Sequence, residues 1–342
     1  MKIAVIGSGS WGIASSLLLH RNGHEVVIWS FSEEERKRLL RKHANKDLLP
    51  GVKLPKKMVI TCDISCAANT ELIVLAVPSF AVSETAERLL PHIHNAKAVA
   101  LLSKGFDKEH GYCLLSETLE QTFGGVVPIV ALTGPSHAEE VARSIPTAVV
   151  AASGKKAAAE LVQKAFMNEH FRVYTTPDIV GAEIGGAMKN VLALAVGIAD
   201  GMGYGDNTKA MLMTRGLTEM MRFGVFFGGK SETFSGLSGA GDLIVTCVSQ
   251  HSRNRRAGLL IGDGMPPEEA IEKVGAVVEG YFATQAVHKI AEGRGLDLPV
   301  SKAMYALLFE GAPLAEVARS LFTRSGRAEI DEVFMSHIEW PE

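Results

Sequence analysis

The chain has 342 residues, 47% of them hydrophobic and 21% charged, enough for a large buried core and, by length, about two domains. Its 35 basic and 38 acidic side chains are dispersed and leave a net charge of −3, which excludes a broad nucleic-acid or anionic-membrane surface. Cys62, Cys66, Cys113 and Cys247 form no paired CxxC set, and Cys62 and Cys66 with His92 and His94 match no zinc spacing, so reduced thiols and no metal are expected.

The first apolar stretch, Ile3–Ile6, is too short for a signal peptide. The longest apolar run, Val191–Ala199, falls short of the roughly 20 residues that span a bilayer. Together these predict a soluble cytoplasmic protein with no membrane insertion. Continuous apolar runs at Ile3–Ile6, Val26–Trp29, Leu72–Val77, Val99–Leu102, Ile129–Leu132 and Ala148–Ala151 predict parallel strands covered on both faces. Helical patterns lie between them, including Gly12–Asn22 and Ser32–Arg41, the second opened by a capping box of Ser32 and Glu35. Alternating β and α elements predict a doubly wound sheet over residues 1–180. Beyond about residue 180 strand signals vanish, predicting an all-α domain over 181–342 whose tail, Met335–Glu342, has no clear pattern.

Gly7-Ser-Gly-Ser-Trp-Gly12 follows the first strand and opens a helix. Those glycines permit a tight turn, close approach of a pyrophosphate and helix–strand packing, so the loop predicts dinucleotide binding and a Rossmann-like first domain. The second strand ends in Ser30-Phe-Ser32 without the acid that holds a ribose 2′-hydroxyl. Ser30, Ser32 or Arg36 would suit a 2′-phosphate, which leans the cofactor expectation, NAD(P)H, toward NADPH.

Further polar residues stand at strand ends, where an open α/β sheet presents ligand groups. Ser103-Lys-Gly105 follows one strand, and Thr133-Gly-Pro-Ser-His-Ala138 follows another and begins a helix. Lys104 is otherwise a solvated loop lysine, and Ser136 otherwise a simple helix cap. Lys189 is the only charge between Glu183 and Asp200 in a stretch apolar nearly all round. A buried ammonium is costly unless paired or used chemically, and its pKa falls; the alternative is a lysine that snorkels or pairs with a carboxylate. Gly185 and Gly186 precede it on the same face and leave room for another molecule. Asp242 lies between a glycine turn and an apolar helix, placed to cap that helix or pair with Lys189. Ser252-Arg-Asn-Arg-Arg256 gathers three guanidinium groups behind a capping serine, a phosphate clamp or an exposed basic face.

Taken in order, Gly7–Gly12, Ala76-Val-Pro-Ser79, Ser103–Gly105, Thr133–Ala138, Met188-Lys-Asn190, Gly239-Ala-Gly-Asp242, Ser252–Arg256 and Val277-Val-Glu-Gly280 closely resemble the NAD(P)-dependent sn-glycerol-3-phosphate dehydrogenase family, over roughly Lys2 to Phe334. The resemblance implies reversible reduction of dihydroxyacetone phosphate to sn-glycerol 3-phosphate for phospholipid synthesis. It makes Lys189 the catalytic acid/base. Lys104, Gly134, Ser136, Asn190, Asp242, Ser252, Arg253 and Asn254 are then substrate contacts. Gly7, Gly9, Ser10, Trp11, Gly12, Phe31, Lys104, Ala138, Arg253, Val277 and Glu279 are cofactor contacts, and a homodimer is expected. Asp242 should oppose the lowering of the Lys189 pKa and Arg253 favour it. A β-hydroxyacid dehydrogenase and a non-catalytic dinucleotide sensor are the rival readings.

Overall fold

The computed structural model describes residues 1–326, so Met335–Glu342 lies outside the described residues. The strands are β1 (Lys2–Ile6), β2 (Glu25–Trp29), β3 (Val59–Thr61), β4 (Leu72–Leu75), β5 (Ala98–Leu101), β6 (Phe106–Asp107), β7 (Cys113–Leu114), β8 (Ile129–Thr133), β9 (Thr147–Ala152) and β10 (Phe171–Thr176). Among them run α1 (Ser10–Arg21), α2 (Glu33–Lys42), α3 (Val82–Leu89), α4 (Leu115–Thr122), α5 (Ala138–Ala142) and α6 (Lys156–Phe166).

Eight strands form one sheet in the order β10-β9-β8-β5-β4-β1-β2-β3, and β6 and β7 make a separate antiparallel pair. The expected central strands are all present. Alternation places Ile3 and Val5 in one core layer with Ile13 and Leu17 of α1 and Val162 of α6. Ala4 and Ile6 face the other layer, with Val82 and Ala86 of α3 and Leu115 and Leu119 of α4. Burying each large aliphatic side chain there stabilises the fold by about 1.5–3 kcal/mol. Strand order reverses between β1 and β4, which opens a crevice at their carboxyl ends.

Two expectations need correction. β9 runs antiparallel to β8, because α5 is a helix of five residues, too short to carry the chain back along the sheet. Half of the expected capping box forms: Ser32 Oγ accepts from Glu35 N–H, while the Glu35 carboxylate turns instead to Ser8 and Asn45.

The remainder is helical among the described residues: α7 (Ile179–Gly201), α8 (Asp206–Phe226), α9 (Ser231–Phe234), α10 (Asp242–Val248), α11 (Arg253–Gly262), α12 (Pro267–Val274), α13 (Glu279–Ala291), α14 (Pro299–Phe309) and α15 (Leu314–Phe322). A π-helical turn at Leu237–Gly241 leads into α10. The helix α7 is central, buried from Gly181 to Ala199. At 23 residues it is longer than the Val191–Ala199 run suggested and is long and apolar enough to cross a membrane, but 89% of its most apolar window is buried inside the protein, as in a core helix. Asp178 caps its start by accepting from Gly181 N–H at 2.9 Å.

Candidate active site

The glycine loop sits between β1 and α1, at the crevice. A Cβ on Gly7, whose φ is +125°, would stand 2.5 Å from the Ala76 carbonyl oxygen, and one on Gly12 would stand 2.0 Å from the Gly7 carbonyl oxygen. Gly9 has nothing within 4 Å of that position. The outer glycines are thus required by packing, while the middle one leaves open space. Helix α1 begins with no side-chain cap and no acidic residue in its first turn, so its free N–H groups suit a pyrophosphate. These features fit a dinucleotide.

From this loop a chain of contacts leads to the buried lysine. Ala76 lies against Gly7; Val77, one residue on, accepts a hydrogen bond from Ser103 Oγ at 2.5 Å. Lys104, next in sequence after Ser103, reaches from the end of β5 to Asp242 Oδ2 at 2.7 Å and to the Gly134 carbonyl at 3.3 Å. Lys189 Nζ donates to Asp242 Oδ1 and, at 2.9 Å, to Thr246 Oγ1. Lys189 is 7% exposed and Asp242 is fully buried. One carboxylate therefore holds two ammonium groups, one from each half of the chain.

Burial lowers the Lys189 pKa from 10.5 to about 7; Asp242 opposes the shift and the Lys104 charge adds to it. The like charge is Lys104, which corrects the role expected of Arg253. Burial pulls the Asp242 carboxyl up, but Lys104 and Lys189 outweigh it and hold its pKa below the usual value. The lysine is thus poised to gain or lose its proton near neutral pH, beside a crevice that suits a dinucleotide.

Other expected residues separate into two groups. Gly185 and Gly186 admit parts of the chain itself, since a Cβ on Gly185 would meet the Ser238 carbonyl oxygen at 2.3 Å and one on Gly186 would meet the Lys104 stem at 3.4 Å. The three guanidinium groups do not converge. Arg255 pairs with Asp200 near the end of α7, and Lys209 joins it at 3.0 Å. Arg253 and Arg256 are exposed. Ser252 caps α11 by accepting from Arg255 N–H. Asn254 Nδ2 donates to Asn190 Oδ1 at 2.9 Å and Asn254 Oδ1 accepts from Gly280 N–H at 2.8 Å, tying α7, α11 and α13 together. Ser136 Oγ donates to the Gly134 carbonyl at 2.8 Å rather than capping a helix, and buried Ala138 begins α5.

Ser10 Oγ reaches the Leu48 carbonyl at 3.5 Å, Trp11 in the first turn of α1 packs against the core, and Phe31 is exposed with its ring edge-on to Trp29. Val277 is half-buried just before α13. Glu279 accepts from Ser79 N–H at 3.1 Å and Ser79 Oγ at 2.6 Å, which brings the start of α13 to the end of β4. Burial raises the Glu279 pKa, with Ser79 and the nearby Arg253 working against it.

The family model described as NAD-dependent glycerol-3-phosphate dehydrogenase N-terminus matches residues 2–159, and its C-terminus counterpart matches 178–319. The chain belongs to the NAD-dependent glycerol-3-phosphate dehydrogenase family. A relative from Pelotomaculum thermopropionicum, named glycerol-3-phosphate dehydrogenase (NAD(P)+), is 46% identical over 98% of this chain and 97% of its own. One of the same name from Shouchella clausii is 45% identical over 98% and 99%. The crystal structure of glycerol-3-phosphate dehydrogenase from Coxiella burnetii superposes with a TM-score of 0.90 at 37% identity, covering 94% of this chain and 99% of that one.

Around the candidate site stand three residues that carried no role of their own in the sequence, although Ser79 and His137 lie within motifs it offered. Thr246, four residues after Asp242 on α10, presents its hydroxyl to Lys189; that helical spacing was a usable signal. Ser79 holds Glu279 from 200 residues away, with no local sign of it. His137 stands beside Lys189, and burial and then the lysine charge lower its pKa. Its Nε2 is buried without a hydrogen-bond partner among the described residues.

Proposed function

We propose that this chain catalyses the reversible, NAD(P)H-dependent reduction of dihydroxyacetone phosphate to sn-glycerol 3-phosphate, feeding glycerophospholipid synthesis. The observation that carries the reading is the buried Lys189–Asp242–Lys104 set, joined through consecutive strand ends to the glycine loop. When bound along Gly7, Gly9, Ser10, Trp11 and Gly12, with Phe31, Lys104, Ala138, Arg253, Val277 and Glu279 around it, NAD(P)H supplies the hydride.

The protein's part is placement and proton transfer. As the ketone carbon is reduced its oxygen gains negative charge, and protonated Lys189 stabilises that charge and donates a proton from Nζ. In the oxidising direction the neutral amine accepts the hydroxyl proton. Asp242 fixes the position of Nζ, and Thr246 holds it from the side. Burial, with the Lys104 charge adding to it and Asp242 opposing it, keeps the Lys189 pKa low enough for both states to be populated. Exposed Arg253 presents a planar guanidinium to the substrate phosphate, on a helix start held by Ser252 and Asn254, while Gly134, Ser136 and Asn190 border the substrate side. The boundary between a dinucleotide-binding part and a helical substrate-binding part falls at about residue 180, close to where β10 ends and α7 begins. Cytoplasmic residence belongs to the same reading, supported by four free thiols.

Dihydroxyacetone phosphate is expected to drive oxidation of NADH or NADPH, and small 2-keto acids are not. In the same assay Arg253→Ala is expected to raise the KM for the phosphorylated ketone about tenfold or more, with a smaller change in kcat. Turnover of keto acids alone would favour a hydroxyacid dehydrogenase. An unchanged KM in the variant would remove Arg253 from the phosphate site.

A further inference from the structure

The end of β2 lacks an acid, and the residues that seemed suited to a 2′-phosphate are engaged elsewhere. Ser30 is fully buried, with its hydroxyl 2.9 Å from Ser8 Oγ. Ser32 caps α2. Arg36 is paired with Glu33 at 2.9 Å, and Arg38 with Asp47 at 2.8 Å and, less closely, with Glu35 at 3.8 Å. The group that does reach this place is the Glu35 carboxylate. Its Oε2 accepts from Ser8 Oγ at 2.8 Å, inside the glycine loop itself, and its Oε1 accepts from Asn45 Nδ2 at 3.3 Å. Asn45 is buried and steadied by accepting from Leu48 N–H at 3.2 Å. The Glu35 side chain keeps a quarter of its surface exposed, 25%, so the carboxylate is fixed on one side and open on the other.

In a doubly wound fold the adenosine ribose lies between the glycine loop and the end of the second strand. We infer that Glu35, from the first turn of α2, supplies the acid that β2 lacks and makes this enzyme select NADH over NADPH. The carboxylate accepts hydrogen bonds from ribose hydroxyls, and it repels the doubly charged 2′-phosphate of NADPH. Arg88 forms no ion pair among the described residues, and its guanidinium is stacked over the Trp29 and Phe31 rings, 5.0 and 5.7 Å from their centroids.

This inference rests on the dehydrogenase reading, so its test measures coenzyme binding apart from turnover. Affinities for NADH and NADPH are measured by fluorescence titration without ketone, and kcat/KM for each with dihydroxyacetone phosphate. The unmodified enzyme is expected to favour NADH in both. Glu35→Gln keeps the side-chain shape and is expected to shrink the NADH/NADPH ratio at least about tenfold, while Glu34→Gln, exposed one residue earlier, leaves it unchanged. A preference for NADPH in the unmodified enzyme overturns the inference, as does an unchanged ratio in Glu35→Gln or an equal change in Glu34→Gln. Binding of neither coenzyme overturns the dehydrogenase reading and this inference with it; an inverted or unmoved ratio with both bound overturns this inference alone.

Discussion

Lys189→Ala is expected to lower kcat for dihydroxyacetone phosphate reduction by about 10²- to 10⁴-fold, the usual contribution of a positioned general acid. The variant should fold, because Asp242 keeps Lys104 as its counter-charge at 2.7 Å when the second ammonium is gone. Coenzyme affinity should change little, since the open backbone at Gly9 and the start of α1 do not involve Lys189. Steady-state rates and a fluorescence titration check both halves. A kcat near that of the unmodified enzyme would remove the lysine from the chemistry.

Asp242→Asn should cost both stability and rate. It leaves Lys189 and Lys104 facing one another with no negative charge between them, in a place where Asp242 itself is fully buried. Breaking a buried pair by removing one member destabilises by about 3–5 kcal/mol. The proton balance moves as well. Burial and the Lys104 charge both lower the Lys189 pKa, and Asp242 is what opposes them. In the variant, ketone reduction at neutral pH should therefore fall and partly recover as the pH is lowered and Lys189 regains its proton. An unfolding curve and a pH–rate profile matching those of the unmodified enzyme would contradict the role given to Asp242.

How much of this was legible in the sequence depended on whether the signal was local. The central strands are buried on both faces and stand out as unbroken apolar runs. The two strands missed from the main sheet, β3 and β10, lie at its edges. β10 turns Arg172 and Tyr174 outward, and β3 is three residues long with Val59 exposed, so neither forms an apolar run. The remaining pair, β6 and β7, is two residues long on each side.

The site divides the same way. Lys189 was conspicuous because its own helix is apolar, and its pairing with Asp242 was among the options left open. Lys104 looked like a loop lysine because its carboxylate lies 138 residues away. Helical geometry alone separates Arg253 from Arg255 by about 200° around α11, so the apparent clamp of three was legible as a divided set. Glu35 was expected as the capping-box partner of Ser32; its contact with Ser8 needed the fold that lays α2 beside the glycine loop.

The most direct test of Lys189 as the proton-transfer group is the pH dependence of kcat in both directions. Reduction needs the ammonium, so its rate should fall as pH rises through about 7, the value to which burial lowers this lysine. Oxidation needs the free amine, so its rate should rise through the same region. Opposed profiles sharing a midpoint near 7, both lost in Lys189→Ala, are the predicted result. Flat profiles, or two that bend in the same direction, would contradict it.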